Sequence, residues 1–251
     1  MQVLISVCTA SEQTEALQKM ADGLIERYRQ AGKPPPRLIY TDRDCCDGAG
    51  NLSKPIKRLF EHAWPDLLVK EDIWHWMRRL GKCATSSQHP LYGRFLGSLT
   101  EQIFAWVDGD VRQLEKAKLA ELKAANPHMA EVTEKDLVIP LSVKRQFCRR
   151  VTRDPEDIRV RVRRTIDAFL GEEAKDFQHN PLFHEEEVLK AWESCQKHLH
   201  CICDPDPNEI PLYLPWKTVH VGGVDLQQWK CVRGTVSLES IHMHLIRMIP
   251  G

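Results

Sequence analysis

Short apolar runs alternate with helical periodicities over the first third of the chain. The runs 3–8, 37–41 and 66–70 are rich in β-branched and large aliphatic residues, a composition typical of buried strands. A capping box at Thr9 and Glu12 predicts that a helix begins directly after the first run. Helical spacing of apolar residues also follows the other two runs. Strands and helices that alternate in this order predict an α/β fold with a mostly parallel sheet covered by helices.

The middle of the chain, residues 85–215, shows helical patterns and no convincing strand alternation. Segment 91–107 is apolar on one face, segment 111–125 is rich in strong helix formers, and segment 184–200 is amphipathic. The sequence Asp-Pro-Glu-Asp at 154–157 supplies a cap, a proline at the first helical position and acids in the first turn. We therefore predict a large all-α insertion.

Strand patterns return near the end of the chain. Runs 216–221 and 224–232 flank the pair Gly222-Gly223, which predicts a β-hairpin. A final helix is predicted to begin near Ser237. The predicted organisation is an N-terminal part of the core at 1–84, a helical insertion at 85–215, and a hairpin and final core helix carrying Glu239 at 216–251.

Charge and hydropathy limit the classes of partner. The 251 residues include 35 basic and 35 acidic side chains, so the net charge is zero, whereas proteins that bind DNA over a wide surface usually carry excess positive charge. The most basic stretches, 145–153 and 159–164, can contact DNA phosphates, act in nuclear import or form a solvated helix face. No apolar run approaches the ~20 residues needed to cross a bilayer, so we expect no membrane partner.

Carboxylates from distant parts of the chain form a candidate metal site. Asp42 follows a predicted strand, at the edge where ligands bind in open α/β sheets, and Asp44 can share or replace its role. Glu239 begins the predicted final helix. Such oxygen ligands suit Mg²⁺ or Mn²⁺, which can activate a water for phosphodiester cleavage. The alternative is that these acids are ordinary surface or capping residues.

The order of these pieces resembles the catalytic core of DDE transposases. Thr41-Asp42 ends a strand, Asp72 and His75 follow in an Asp-x-x-His motif, a helical insertion comes next, and Glu239-Ser240 begins a helix. The pattern is similar to Mutator-like and hobo/Activator-like transposases, and closer still to the Kyakuja–Dileera–Zisupton type. The resemblance implies a ribonuclease-H-like core with Asp42 and Glu239 as catalytic metal ligands and with Asp72 and His75 supporting them. It also implies DNA (transposon ends) as partner, a homo-oligomer, and location in the nucleus or the cytoplasm.

The resemblance also places a first catalytic Asp on a strand upstream of segment 3–8. That acid is expected to lie before Met1, so the sheet is expected to be incomplete and the chain to be an enzyme only when an upstream Asp completes the site. Segment 3–8 is then expected to pair beside segment 37–41, or the isolated chain to be poorly soluble. The alternative is a catalytically inactive remnant that serves as a protein-binding or nucleic-acid-binding module.

Cysteines and histidines offer a third hypothesis, a zinc-stabilised helical scaffold. Nine cysteines in an intracellular protein are expected to be free thiols in or near the core. The adjacent pair Cys45-Cys46 is interpreted as too close in sequence to act as an ordinary metal pair. A looser cluster can bind zinc or pack as reduced thiols, and its members are Cys195, His198, His200, Cys201 and Cys203.

Overall fold

A computed structural model describes residues 14–42, 45–46, 56–127, 133 and 136–235. Segment 3–8, Asp44 and Glu239 lie outside the described residues. The helices are α1 (Thr14–Gln30), α2 (Ile56–Phe60), α3 (Ile73–Gly81), α4 (Tyr92–Ile103), α5 (Asp108–Ala125), α6 (Leu141–Phe147), α7 (Pro155–Ala168), α8 (Glu185–Cys195) and α9 (Leu199–Ile202). The strands are β1 (Leu38–Thr41), β2 (Leu68–Glu71), β3 (Phe104–Trp106), β4 (Arg150–Thr152), β5 (Tyr213–Val221) and β6 (Val224–Cys231). The chain is therefore a mixed α/β protein with two-stranded sheets in the described part, and the ribonuclease-H-like core stays a prediction.

Two compact units alternate along the chain. The first comprises Met1–Leu99, Asp154–Cys203 and Gly234–Gly251, and the second comprises Thr100–Arg153 and Asp204–Arg233. Each unit is assembled from segments that are distant in sequence. The predicted division at residues 84 and 215 stays a prediction.

A parallel pair of strands organises the first unit. Strands β1 and β2 pair in register from Leu38 opposite Leu68 to Thr41 opposite Glu71. This confirms the two predicted strands and their parallel orientation. Both strands are only four residues long, so the residues that directly follow them come out at one edge of the pair.

Aromatic side chains pack the helices of the first unit together. Trp64 stacks on Phe60 with ring centroids 5.1 Å apart, in a cluster between α1 and α2. Trp76 of α3 is fully buried and meets Trp192 of α8 edge to face, and its indole nitrogen donates to the carbonyl of Cys195 at 2.9 Å. Satisfying that indole N–H inside the core removes the cost of burying it. Helix α3 is thereby fixed against α8.

The second unit contains two short strands inside the segment that was predicted to be all-helical. Strands β3 and β4 pair antiparallel, from Phe104 opposite Thr152 to Trp106 opposite Arg150. The prediction of an all-α insertion is therefore wrong in this part. Each strand has three residues, too few to show alternation, and the pairing joins positions far apart in sequence. Helix α4 accordingly ends at Ile103, before the predicted end of its segment.

The predicted hairpin is confirmed in the second unit. Strands β5 and β6 pair antiparallel up to Val221 opposite Val224, and the two connecting residues, Gly222 and Gly223, have φ of +57° and +77°. A two-residue turn with both φ values positive matches the twist of the strands, and glycine adopts it without steric cost. Leu226 of β6 packs with Leu114 and Ala117 of α5 in the core of this unit.

Candidate functional site

Asp42 and Asp72 directly follow the two paired strands, so they lie at the same edge. The amide of Asp72 donates to the carbonyl of Thr41 at 2.8 Å, which extends the ladder to this point. Asp42 is exposed, whereas Asp72 is only 2% exposed. The structure therefore brings together two of the acids singled out in the sequence, in different environments.

The carboxylate of Asp72 is occupied by hydrogen-bond donors. Its Oδ1 accepts from the amides of Trp74 at 2.7 Å and His75 at 3.4 Å, so Asp72 is the N-cap of α3. Its Oδ2 accepts from both the amide and the hydroxyl of Thr235. Four donors use the acceptor capacity of both oxygens. Asp72 therefore orients the elements around it.

His75 lies beside Asp72, as the three-residue spacing predicts. Its Nδ1 is 3.8 Å from Oδ1 of Asp72, and its ring is 17% exposed. The indole of Trp74 packs edge to face on this imidazole, at 4.7 Å between centroids. Trp74 is 43% exposed and lies under the guanidinium of Arg78. Trp76 and Met77, on the same helix, are buried.

Glu71 is a buried acid that the sequence analysis missed. It is the last residue of β2, has no exposed surface, and forms an ion pair with Arg79 of α3. Burial raises the pKa of its carboxyl, and the positive charge of Arg79 opposes that rise. Arg79 also donates to the carbonyl of Asp42 at 3.0 Å. One arginine thus holds the ends of both strands.

A cluster of three cysteines and one histidine lies next to this edge. The sulfur and nitrogen atoms of Cys45, Cys46, His198 and Cys201 are all within 4.8 Å of one another. Such a cluster could bind a metal ion. The interpretation that Cys45 and Cys46 are too close in sequence to bind a metal is therefore corrected. The fold places both thiols beside a histidine from the turn before α9 and a third thiol from α9 itself. Of the looser predicted cluster, Cys195, His200 and Cys203 are not members.

The charges within the cluster are coupled. Hydrogen bonds from Cys45 and His198 lower the pKa of Cys201 to about 4, against the opposing effect of burial. The hydrogen bond to Cys201 raises the pKa of Cys45, and burial and the negative charge of Glu71 add to the rise. The hydrogen bond to Cys201 also raises the pKa of His198. These shifts favour a thiolate at Cys201 and oppose a second thiolate at Cys45.

The two basic stretches differ in their surroundings. In α7, the guanidinium groups of Arg159, Arg161 and Arg163 pair with acids three or four residues away on the same helix. This is the solvated helix face that was one of the interpretations of segment 159–164. In segment 145–153, Arg149 and Arg150 instead line a cavity of about 580 Å³ within the second unit.

Comparison with known proteins gives no relative for the chain. No family model, no curated protein and no solved structure matches it. Within the described ranges, the helices are all too short or too polar to span a membrane.

Proposed function

We propose that the chain is a transposase-type protein whose carboxylates act in metal-dependent cleavage and transfer of DNA strands. One observation carries the proposal: Thr235 donates two hydrogen bonds to Asp72 at the edge where Asp42 lies. Glu239 follows Thr235 by four positions in the sequence, a stretch of chain that reaches at most about 14 Å. The segment leading to the third predicted acid is thus tied to the strand ends.

Of the three acids at the strand ends, Asp42 is available to a cation, whereas Glu71 and Asp72 are bound by other groups of the protein. Arg79 pairs with Glu71, and four protein donors saturate Asp72, whereas Asp42 is exposed. An exposed carboxylate at this edge fits a hard cation, so Asp42 together with Glu239 would hold Mg²⁺ or Mn²⁺. When bound, the ion supplies an activated water and stabilises the leaving oxygen.

In this proposal Asp72 and His75 are positioning residues. Asp72 caps α3 and holds the segment at Thr235, and His75 lies on the first turn of that helix at 3.8 Å from the same carboxylate. A site of the DDE type would also need one further carboxylate besides Asp42 and Glu239. DNA is the proposed partner and the nucleus the proposed compartment, and a homo-oligomer stays a prediction.

The proposal is tested by nicking of supercoiled plasmid in Mg²⁺ or Mn²⁺ by the complete gene product. Asp42→Asn removes the charge that binds the cation and is expected to abolish nicking, while Asp44→Asn leaves part of it. Thermal unfolding of both variants controls for folding. Full nicking by a folded Asp42→Asn variant would overturn the assignment.

A second candidate function, binding without catalysis, is favoured by the cavity in the second unit. The guanidinium of Arg150, which lines the cavity, lies over the rings of Phe104 and Trp106. An arginine stacked on aromatic rings beside a cavity suits phosphates. Salt-dependent binding of a labelled oligonucleotide, lost in Arg150→Glu, with no nicking by the complete gene product, would favour this candidate over the first.

A further inference from the structure

The cluster of Cys45, Cys46, His198 and Cys201 has the number, type and spacing of ligands that one ion requires. We propose that these four residues form a closed tetrahedral site for Zn²⁺. The site is separate from the carboxylates of the proposed function, because its ligands are three sulfurs and one nitrogen. The inference therefore stands or falls independently of DNA cleavage.

The distances between the ligand atoms decide in favour of a single ion. With Zn–S of about 2.3 Å and Zn–N of about 2.05 Å, tetrahedral angles put two sulfurs about 3.8 Å apart and sulfur about 3.6 Å from nitrogen. The sulfurs of Cys45 and Cys46 are 3.9 Å apart, and Nδ1 of His198 is 3.2 Å from the first and 3.3 Å from the second. A disulfide needs about 2.05 Å between sulfurs, and the described cysteines form no disulfide with one another.

The chemistry of the ligands selects the ion. Thiolates and imidazole bind Zn²⁺ well, whereas Mg²⁺ and Ca²⁺ require oxygen ligands. Three cysteines and one histidine are a usual set for structural zinc, in which all four positions are filled by protein. A filled coordination sphere leaves no position for a substrate, so the ion would stabilise the fold.

The two halves of the site come from separate segments of the first unit. Cys45 and Cys46 follow β1, while His198 directly precedes α9 and Cys201 lies within it. Lys70 of β2 donates to the carbonyl of His200 at 3.0 Å, which attaches α9 to the strand pair. The site would join segments 153 residues apart in sequence, at the Cys45 to His198 contact.

Glu71 provides a second layer around the ligands. Its Oε2 is 3.5 Å from the sulfur of Cys45 and 3.9 Å from Nδ1 of His198, and its side chain is buried. A metal-bound Cys45 thiolate has no proton to donate to Glu71, so this carboxylate would lie beside the ligands as a neighbouring negative charge. The ion pair with Arg79 offsets that charge.

The test is the zinc content of the chain purified under reducing conditions without chelator, after expression in medium with added Zn²⁺. The expected result is one zinc per chain, falling to near zero in Cys45→Ser and in Cys201→Ser. Cys203→Ser is the matched control: it changes the same residue type two positions from Cys201, outside the cluster, and should keep the full zinc content. Equal loss in Cys203→Ser and Cys201→Ser, or a folded wild-type chain without zinc, would overturn the site.

If the cysteine variants fail to fold, the absorption spectrum of Co²⁺ bound to the wild-type chain tests the same ligands. Zinc is removed from the wild-type chain with a chelator, and Co²⁺ alone is added. The expected spectrum contains intense bands for tetrahedral Co²⁺ and a thiolate-to-metal charge-transfer band in the near ultraviolet, both of which an equivalent of Zn²⁺ removes. Weak octahedral bands alone, or no charge-transfer band, would contradict thiolate ligation.

Discussion

The hydroxyl of Thr235 donates to the carboxylate of Asp72 at 2.6 Å, across 163 positions of sequence. The neighbouring Gly234 has φ of +78°, and a Cβ at that position would lie 2.9 Å from Oδ2 of Asp72. Only glycine lets the backbone come this close with that φ. Asp72 therefore connects three elements: the end of β2, the start of α3 and the segment at 234–235.

Replacing Thr235 with valine removes the hydroxyl donor and keeps the shape of the side chain. Because the acceptor is a buried carboxylate, we expect the free energy of unfolding to fall by about 1.5–3 kcal/mol. Urea denaturation measures the change. Thr218→Val is the control, since its hydroxyl contacts Gln227 at an exposed position and should change stability little. An equal, small effect in both variants would show that the contact with Asp72 contributes nothing.

The two turn glycines of the hairpin should differ sharply in their tolerance of alanine. Gly223→Ala meets no atom within 4 Å and carries only the cost of a positive φ, about 1–2 kcal/mol. At Gly222 a Cβ would also lie 2.3 Å from the carbonyl oxygen of Ala117, a backbone atom of α5. Gly222→Ala should therefore lower the unfolding temperature clearly more than Gly223→Ala. Similar unfolding temperatures would mean that α5 is not packed on the turn.

Breaking the ion pair between Arg233 and Asp204 should lower the free energy of unfolding more than breaking an exposed ion pair. Two guanidinium nitrogens donate to the two carboxylate oxygens at 2.7 and 2.6 Å, and the side chains are 8% and 12% exposed. Arg233→Ala leaves a buried carboxylate without its partner, at a cost of about 3–5 kcal/mol. Arg163→Ala breaks an exposed pair with Asp167 and should cost about 0–1 kcal/mol. Urea denaturation measures both variants, and equal decreases in their free energies of unfolding would contradict this expectation.

Cys148 should make stability fall at high pH. Burial, reinforced by the nearby charge of Asp110, raises the pKa of this thiol from 9.0 to about 11. Between these values the unfolded chain loses the thiol proton and the folded chain keeps it. The contribution of the Cys148 thiol to stability is therefore complete below pH 9 and is lost as the pH rises towards 11, a change of about 3 kcal/mol in all.

Free energies of unfolding measured from pH 8 to 11 test whether stability falls as the pH rises. Cys148→Ala should reduce the slope above pH 9 whatever its effect on stability at neutral pH. Replacement of the exposed Cys231 by alanine is the control for the substitution itself. An unchanged slope in Cys148→Ala would assign the pH dependence to other groups.

Local sequence patterns predicted several strands and the hairpin. The cluster of cysteines and histidine, in contrast, is formed by contacts between segments that are far apart in sequence. The strands at 37–41 and 66–70 and the hairpin around Gly222 were predicted because apolar alternation and turn residues act over a few positions. The pairing of Cys45 with His198 could not be predicted, since no local pattern records a contact across 153 positions. Glu71 was missed for a related reason: a charged residue at the end of a strand resembles a surface residue until Arg79 is seen beside it.

The alternation of the two units along the chain has a consequence for synthesis on the ribosome. Cys45 emerges 153 residues before His198, and at about 5–20 residues per second that interval is about 8–30 seconds. Strands β1 and β2 are both synthesised early in this interval, whereas the histidine and the third thiol of the cluster are made only at its end. The order of the segments in the gene therefore leaves the two adjacent thiols without their partners for most of the time that the chain takes to be made.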